Sequence, residues 1–224
     1  MIASYMDSTN LKPEATRADI IKLCHDAVRL KMAAVCINPF RLKLAVEILN
    51  DTQVSKCTVI GFPLGAERLT AKYLTARESL LLGADELDMV INVGALKESD
   101  YSLVENEIKQ LNKLKSEFSF LLKVIVETAL LTEEELVIMT KIVSDSGADF
   151  IKTSTGFSTR GASLEDIAVI NRHKSEKLKI KASGGIRTVD SSLEFIAAGV
   201  HRIGSSNAGA IIEECRNRGG LLRR

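Results

Sequence analysis

There is no tryptophan in this sequence, and all aromatic residues together make up 4% of it. Surfaces that hold single-stranded nucleic acid stack bases on aromatic rings, so that class of partner is disfavoured. Neither sign of charge predominates: 30 Lys and Arg face 29 Asp and Glu, for a formal net charge of +1. No basic field remains to gather duplex nucleic acid or an anionic membrane. No apolar run reaches the roughly 20 residues needed to cross a bilayer. The opening MIASYMDSTN has no basic start followed by an apolar stretch, so no secretion signal is expected. The four cysteines, Cys24, Cys36, Cys57 and Cys215, form no CxxC pair and read as reduced thiols of a cytoplasmic protein. The three histidines, His25, His173 and His201, have no ligand spacing, so neither metal nor cofactor is expected. With no linker, low-complexity tract or long repeat, the chain reads as one domain over residues 1–224.

What is present is an alternation. Short β-branched runs recur near SYMDST, MAAVCIN, KCTVIGF, DELDMVIN, FLLKVIVET, DFIKTST, LKIKASG and HRIGSS. Segments of helical period separate them: Thr16–Lys31, Pro39–Leu49, Ala66–Leu82, Ser99–Lys115, Thr132–Ser146, Ser163–His173, Val189–Ala198 and Ser206–Arg216. Thr132 with Glu135 has capping-box spacing, and Gly83, Gly147 and Gly199 stand where helices should end. Eight strand–helix units predict an α/β fold, a single-domain (β/α)8 TIM barrel. An open doubly wound sheet would gather its polar residues at one switch point; here they recur at every strand end.

Two runs place a lysine in a buried strand just before a small-residue turn: Lys152 in DFIKTSTGF and Lys181 in KIKASGGIR. Strand alternation puts Phe150, Lys152 and Ser154 on one face, and Lys179, Lys181 and Ser183 on one face of the next strand. Ile151 and Ile180 suit the outer helices, so both lysines point inward. Neighbouring strands lie about 4.8 Å apart. Ammonium groups within about 6 Å repel, and burial adds to the cost, so one amine should lose its proton and attack carbonyls as a Schiff-base nucleophile. One such lysine alone reads better as an ion-pair partner; two in register favour chemistry.

Asp88 in DELDMVIN shares a face with Glu86 and could shuttle protons at a carbinolamine. Lys123 shares a face with Glu127, and reads as a supporting residue that neutralises Asp88 or Glu127. Gly184 and Gly185, then Gly204, Ser205 and Ser206, fall in the two loops where barrels often bind phosphate. Ser183 adds a hydroxyl there, and Arg160 and Arg187 are possible helpers. Asp7, Thr9, Asn10, Cys36 and Asn38 end the first two strands; they suit a substrate pocket, or for Asp7 a helix cap and for Cys36 a small core position.

GFPLG at residues 61–65, DELDMVINVG, KVIVET, DFIKTSTGF, KASGGIR and RIGSS resemble the successive strand ends of the deoxyribose-phosphate aldolase family, as do MDSTNLKPEAT and VCINP. The resemblance runs from near residue 6 to near residue 210. It implies a class I, metal-free aldolase that reversibly cleaves 2-deoxy-D-ribose 5-phosphate to D-glyceraldehyde 3-phosphate and acetaldehyde. It implies Lys152 as Schiff-base lysine, Lys181 as the neighbour that lowers its pKa, and Asp88 as proton carrier. The partners it implies are small sugar phosphates and aldehydes, with a homodimer or higher homo-oligomer expected. Departures from the family pattern fall at Ser8, Asn10 and Arg160, where many relatives carry His, Leu and Gly, and at Phe157, where some carry Lys. The competing readings are another Schiff-base sugar-phosphate barrel, such as a transaldolase-like enzyme, and a non-catalytic sugar-phosphate-binding barrel.

Overall fold

The computed structural model describes residues 2–219, so both ends of the expected 1–224 span lie outside the described residues. Eight parallel strands close in chain order: β1 (Met6–Asn10), β2 (Ala34–Ile37), β3 (Ser55–Ile60), β4 (Glu86–Val90), β5 (Leu121–Ile125), β6 (Phe150–Lys152), β7 (Lys179–Ser183) and β8 (Arg202–Ser205). β8 returns to pair with β1, with Asp7 opposite Gly204. Outside them run α1 (Arg17–Leu30), α2 (Leu42–Leu49), α3 (Leu69–Leu81), α4 (Val93–Lys97), α5 (Tyr101–Asn112), α6 (Glu133–Asp145), α7 (Leu164–His173), α8 (Val189–Ala197) and α9 (Ala208–Asn217). The barrel expected from the sequence is therefore the fold.

Local chemistry fixes most helix ends. Thr16 caps α1 and Thr132 caps α6, each in a reciprocal box with an acid three residues on, Asp19 and Glu135. Such a cap contributes about 1 kcal/mol. Three expected boundaries differ. α2 begins at Leu42 because Pro39–Arg41 forms a 3-10 turn. α3 begins at Leu69, where Arg68 gives no side-chain cap. The segment before α5 holds the extra short helix α4, capped by Asn92. The apolar core lies between the sheet and the helices, with Ile151, Ile180 and Val124 fully buried in it. Each has a lysine beside it on the inward face: Lys152 next to Ile151, Lys181 next to Ile180 and Lys123 next to Val124.

Candidate active site

The interior of such a barrel is ordinarily filled by branched apolar side chains. This one holds a closed ring of alternating charges. Asp7 Oδ2 lies 2.5 Å from Lys181 Nζ, an ion contact without hydrogen-bond alignment. Lys181 Nζ donates to Asp88 Oδ2 at 2.7 Å. Asp88 Oδ1 accepts from Lys123 Nζ at 2.7 Å, and that nitrogen sits 2.6 Å from Glu86 Oε2. Both carboxylate oxygens of Glu86 accept from Arg202 at 3.0 Å, and Arg202 Nε donates to Asp7 Oδ1 at 2.6 Å, closing the circuit. Three carboxylates meet three cations, each bridging two partners.

Lys152 is the seventh member and stands outside this balance. Its Nζ donates to Asp88 Oδ2 at 2.8 Å, the oxygen that Lys181 also holds. Both amines touch one atom, so they lie side by side, as their register (Lys152 opposite Lys181) requires. Lys152 also lines a cavity of about 460 Å³ at the C-terminal ends of the strands, whereas Lys181 and Asp88 do not.

The ring fixes its own ionisation. Burial disfavours the Asp88 carboxylate, but Lys123, Lys152 and Lys181 outweigh that and hold its pKa well below the usual range. Asp7 likewise falls to about 2: burial raises it, and Lys181 and Arg202 more than reverse the effect. Burial works against the charge on Lys181 too, yet Asp7 and Asp88 hold its pKa above the ordinary lysine value. Lys181 is therefore a fixed cation beside Lys152.

Asp88 is also flanked by thiols. Cys57 Sγ lies 3.1 Å from Oδ1 and Cys36 Sγ 3.8 Å from Oδ2. These cysteines stand apart in sequence, but β2 and β3 pair them directly. Their sulfurs and the carboxylate form a set compact enough to ligate an ion. In this fold, however, the carboxylate oxygens are taken by three amines, and Lys123 also donates to Cys57 Sγ at 3.4 Å.

Lys123 joins Asp88 as expected, but its other partner is Glu86, not Glu127. β5 ends at Ile125, so strand alternation no longer governs Glu127. Glu127 adopts a left-handed backbone (φ 56°) and accepts from the Thr155 backbone N–H and hydroxyl. Asp7 is no helix cap; α1 takes Thr16 instead. Thr9 and Asn10 line the cavity, while Asn38 is not among its lining residues. Lys179, one step deeper, is exposed at the far mouth over the Phe150 ring.

Gly184, Gly185, Gly204, Ser205 and Ser206 all line the cavity. Two of the expected hydroxyl donors are spent inside the protein: Ser205 Oγ donates to Ile186 O at 2.7 Å, and Ser183 Oγ to Ser154 O at 2.6 Å. The Ser183 backbone N–H is spent as well, donating to Thr153 Oγ1 at 3.2 Å. Arg187 lines the cavity, but Arg160 does not. Its guanidinium grips Asp166 at 2.5 and 3.1 Å and Thr128 O at 3.1 Å, tying the β6–α7 loop to the loop after β5. Phe157 stands 55% exposed, edge-on to Phe62 at 5.3 Å.

The β6–α7 loop also braces the glycine pair. Ala162 N–H donates to Ser183 O at 3.0 Å, and a Cβ on Gly161 would sit 2.0 Å from Gly184 O. Only glycine permits that approach. Gly161→Ala should therefore displace the Gly184 turn and raise KM for a phosphorylated substrate by about tenfold or more, the scale of one hydrogen bond to a charged group. Initial-rate kinetics on phosphorylated and unphosphorylated substrate would measure it; equal effects on both would contradict the assignment.

A closed (β/α)8 barrel with two lysines and a carboxylate beneath a cavity at its catalytic face defines a class: barrel enzymes equipped for amine–carbonyl chemistry. The description "DeoC/LacD family aldolase" matches residues 1–212. A deoxyribose-phosphate aldolase of Thermococcus gammatolerans is 49% identical over 218 residues, covering 96% of this chain and 97% of that protein. Among solved structures, one described as "QR15, an Aldolase" superposes with a TM-score of 0.93 at 40% identity, covering 99% of both chains. The deoxyribose phosphate aldolase from Aeropyrum pernix, described as having a unique tetrameric structure, gives 0.90 at 30% identity over 97% of this chain and 92% of that one. This chain belongs to the DeoC/LacD family of aldolases.

Proposed function

We propose that the protein is a class I aldolase that reversibly cleaves 2-deoxy-D-ribose 5-phosphate to D-glyceraldehyde 3-phosphate and acetaldehyde. The observation that carries this is the surplus amine: Lys152 faces the cavity beside a carboxylate whose charge is already matched. The nitrogen attacks C1 of the open-chain sugar, and loss of water from the carbinolamine gives a protonated imine. The C3 hydroxyl gives up its proton, the C2–C3 bond breaks, and its electrons pass into the imine as an enamine. Glyceraldehyde phosphate leaves, C2 is protonated, and hydrolysis frees acetaldehyde and the amine. Asp88, touching both Lys152 and Lys181, carries protons in the carbinolamine steps. Lys181 supplies the standing positive charge that disfavours a second one next to it. The amides of Gly184, Gly185, Ser205 and Ser206, with Gly204 leaving room and Arg187 at the rim, receive the phosphate. Lys123 holds Asp88 from the side away from substrate. No helix of the described residues is long and apolar enough to cross a membrane; we place the enzyme in the cytoplasm as a homo-oligomer.

Acetaldehyde with borohydride should fix a two-carbon adduct on Lys152, read by peptide mass, and the protein should release acetaldehyde from deoxyribose 5-phosphate. Turnover of ketose phosphates alone would point to a different Schiff-base barrel, and tight binding without turnover to a sensor. In Lys181→Leu, the pH at half-maximal trapping should rise by about one unit or more, because a cation facing the amine has gone. An unmoved midpoint would remove Lys181 from this role.

A further inference from the structure

One buried carboxylate at the catalytic end of the barrel has no part in the ion ring or in the imine chemistry: Glu127. It is 4% exposed and holds a left-handed backbone (φ 56°), which a residue other than glycine adopts only at a cost. Such strain persists where surrounding contacts over-determine it, and it gathers at functional sites. Here the contacts run through one oxygen. Glu127 Oε2 accepts from the Thr155 N–H at 3.2 Å and from the Thr155 hydroxyl, which in turn accepts from the Phe157 N–H at 3.1 Å. Glu127 Oε1 is buried with no hydrogen-bond partner. The segment so held, Thr155 to Phe157, lies just past the end of β6 and lines the same cavity as Lys152. Within it Gly156 packs on the Gly184 turn: a Cβ on Gly184 would sit 2.8 Å from Gly161 Cα and 3.5 Å from Gly156 Cα. Both arms of the β6–α7 loop thus touch that turn. The residue after Glu127 holds the far arm, Thr128 O accepting from Arg160 at 3.1 Å.

From these contacts we infer that Glu127 is a positioning residue for the phosphate end of the substrate: through Thr155 it fixes the arm that lays Gly156 against the Gly184 turn, and so sets the span between the Lys152 amine and the amides of that turn. The inference rests on the reading of this cavity as a sugar-phosphate site. Its physical basis is length. The imine fixes C1 of the sugar at Lys152, so the phosphate meets a second anchor only at one distance, and a misplacement of about 1 Å is costly. Main-chain bonds between neighbouring strands reach as far as Thr153, whose N–H donates to Lys181 O and whose carbonyl accepts from Thr128. Beyond it side chains take over, Ser183 at Ser154 O and Glu127 at both donors of Thr155. A merely structural Glu127 would alter stability and affect phosphorylated and unphosphorylated substrates alike.

The test is initial-rate kinetics of Glu127→Gly on 2-deoxyribose 5-phosphate and on unphosphorylated 2-deoxyribose, beside acetaldehyde–borohydride labelling of Lys152. Glycine adopts the left-handed backbone without strain, so the variant loses the carboxylate and keeps the turn of the chain. KM for the phosphorylated sugar should rise about tenfold, the scale of one hydrogen bond to a charged group, while the unphosphorylated sugar and the labelling behave as in wild type. Glu127→Gln keeps a carbonyl oxygen within reach of both Thr155 donors and should return KM close to the wild-type value. Should Glu127→Gly fail to fold, Glu127→Asn, which also tolerates the left-handed backbone but is too short to reach Thr155, should show the same split. An unmoved KM, an equal loss on both sugars, or a glutamine variant as impaired as the glycine one overturns the inference. A wild-type protein that labels at Lys152 yet does not prefer the phosphorylated sugar overturns instead the sugar-phosphate reading beneath it, and the inference with it.

Discussion

Lys152→Met should lose essentially all imine trapping and aldol cleavage while folding as well as the native protein. The activity loss should approach 10⁶-fold, roughly the scale on which a covalent nucleophile matters. The stability result is the less obvious half. A buried base normally cannot be removed cheaply, because its carboxylate partner is left unpaired, at a cost of about 3–5 kcal/mol. Asp88 keeps two other partners, Lys123 on Oδ1 and Lys181 on Oδ2, when Lys152 goes. Methionine fills similar volume, so the change in unfolding free energy should stay within about 1 kcal/mol, or favour the fold. Urea titration alongside trapping measures both. A loss of several kcal/mol would mean that Lys152 is an integral member of the ion ring, and the surplus-amine argument would fall.

Asp88→Asn should do the reverse and damage fold and function together. Asp88 is where three amines converge, and it is fully buried. The amide cannot match their charge, and the cost should be about 3–5 kcal/mol. At about 2–4 °C per kcal/mol in a chain this size, Tm should fall by roughly 10 °C. The pH dependence carries the same signature. Asp88 has a depressed folded pKa, so its stabilisation is present above its unfolded value of about 4 and is lost as pH falls through the folded value. Lys123 and Lys181 have raised folded values, so their share is present below about pH 10.4 and is lost as pH climbs beyond it. Wild-type Tm should therefore hold a plateau between these limits, and Asp88→Asn should flatten its acid edge. A variant with wild-type Tm would show that the amines find water or each other instead.

The barrel was legible because its signals are local. Apolar runs of strand length, capping pairs such as Thr132 with Glu135, and glycines at helix ends each act within a few residues. The inward aim of Lys152, Lys181 and Asp88 was legible for the same reason, since alternation along a strand needs no knowledge of its neighbours. That rule also marks its own limit. It holds for Lys123, inside β5, and fails for Glu127, two residues past the strand's end, where the backbone turns left-handed. The same alternation turns Arg202, the first residue of β8, inward with Gly204.

By itself, then, the sequence determined which side chains face the axis and at what depth. Which of them touch was decided only by closure. β8 must return to β1 before Arg202 can reach Asp7, and Glu86 must face Arg202 across the interior before three acids and three bases close a circuit. Closure likewise committed Arg160 to Asp166 and Thr128 and brought Cys36 beside Cys57. The physical reason is range. A strand's alternation and a helix's cap are set by neighbours in the chain, whereas charge balance is a sum over every side chain that shares the same dry volume, and the chain assembles that volume only on folding.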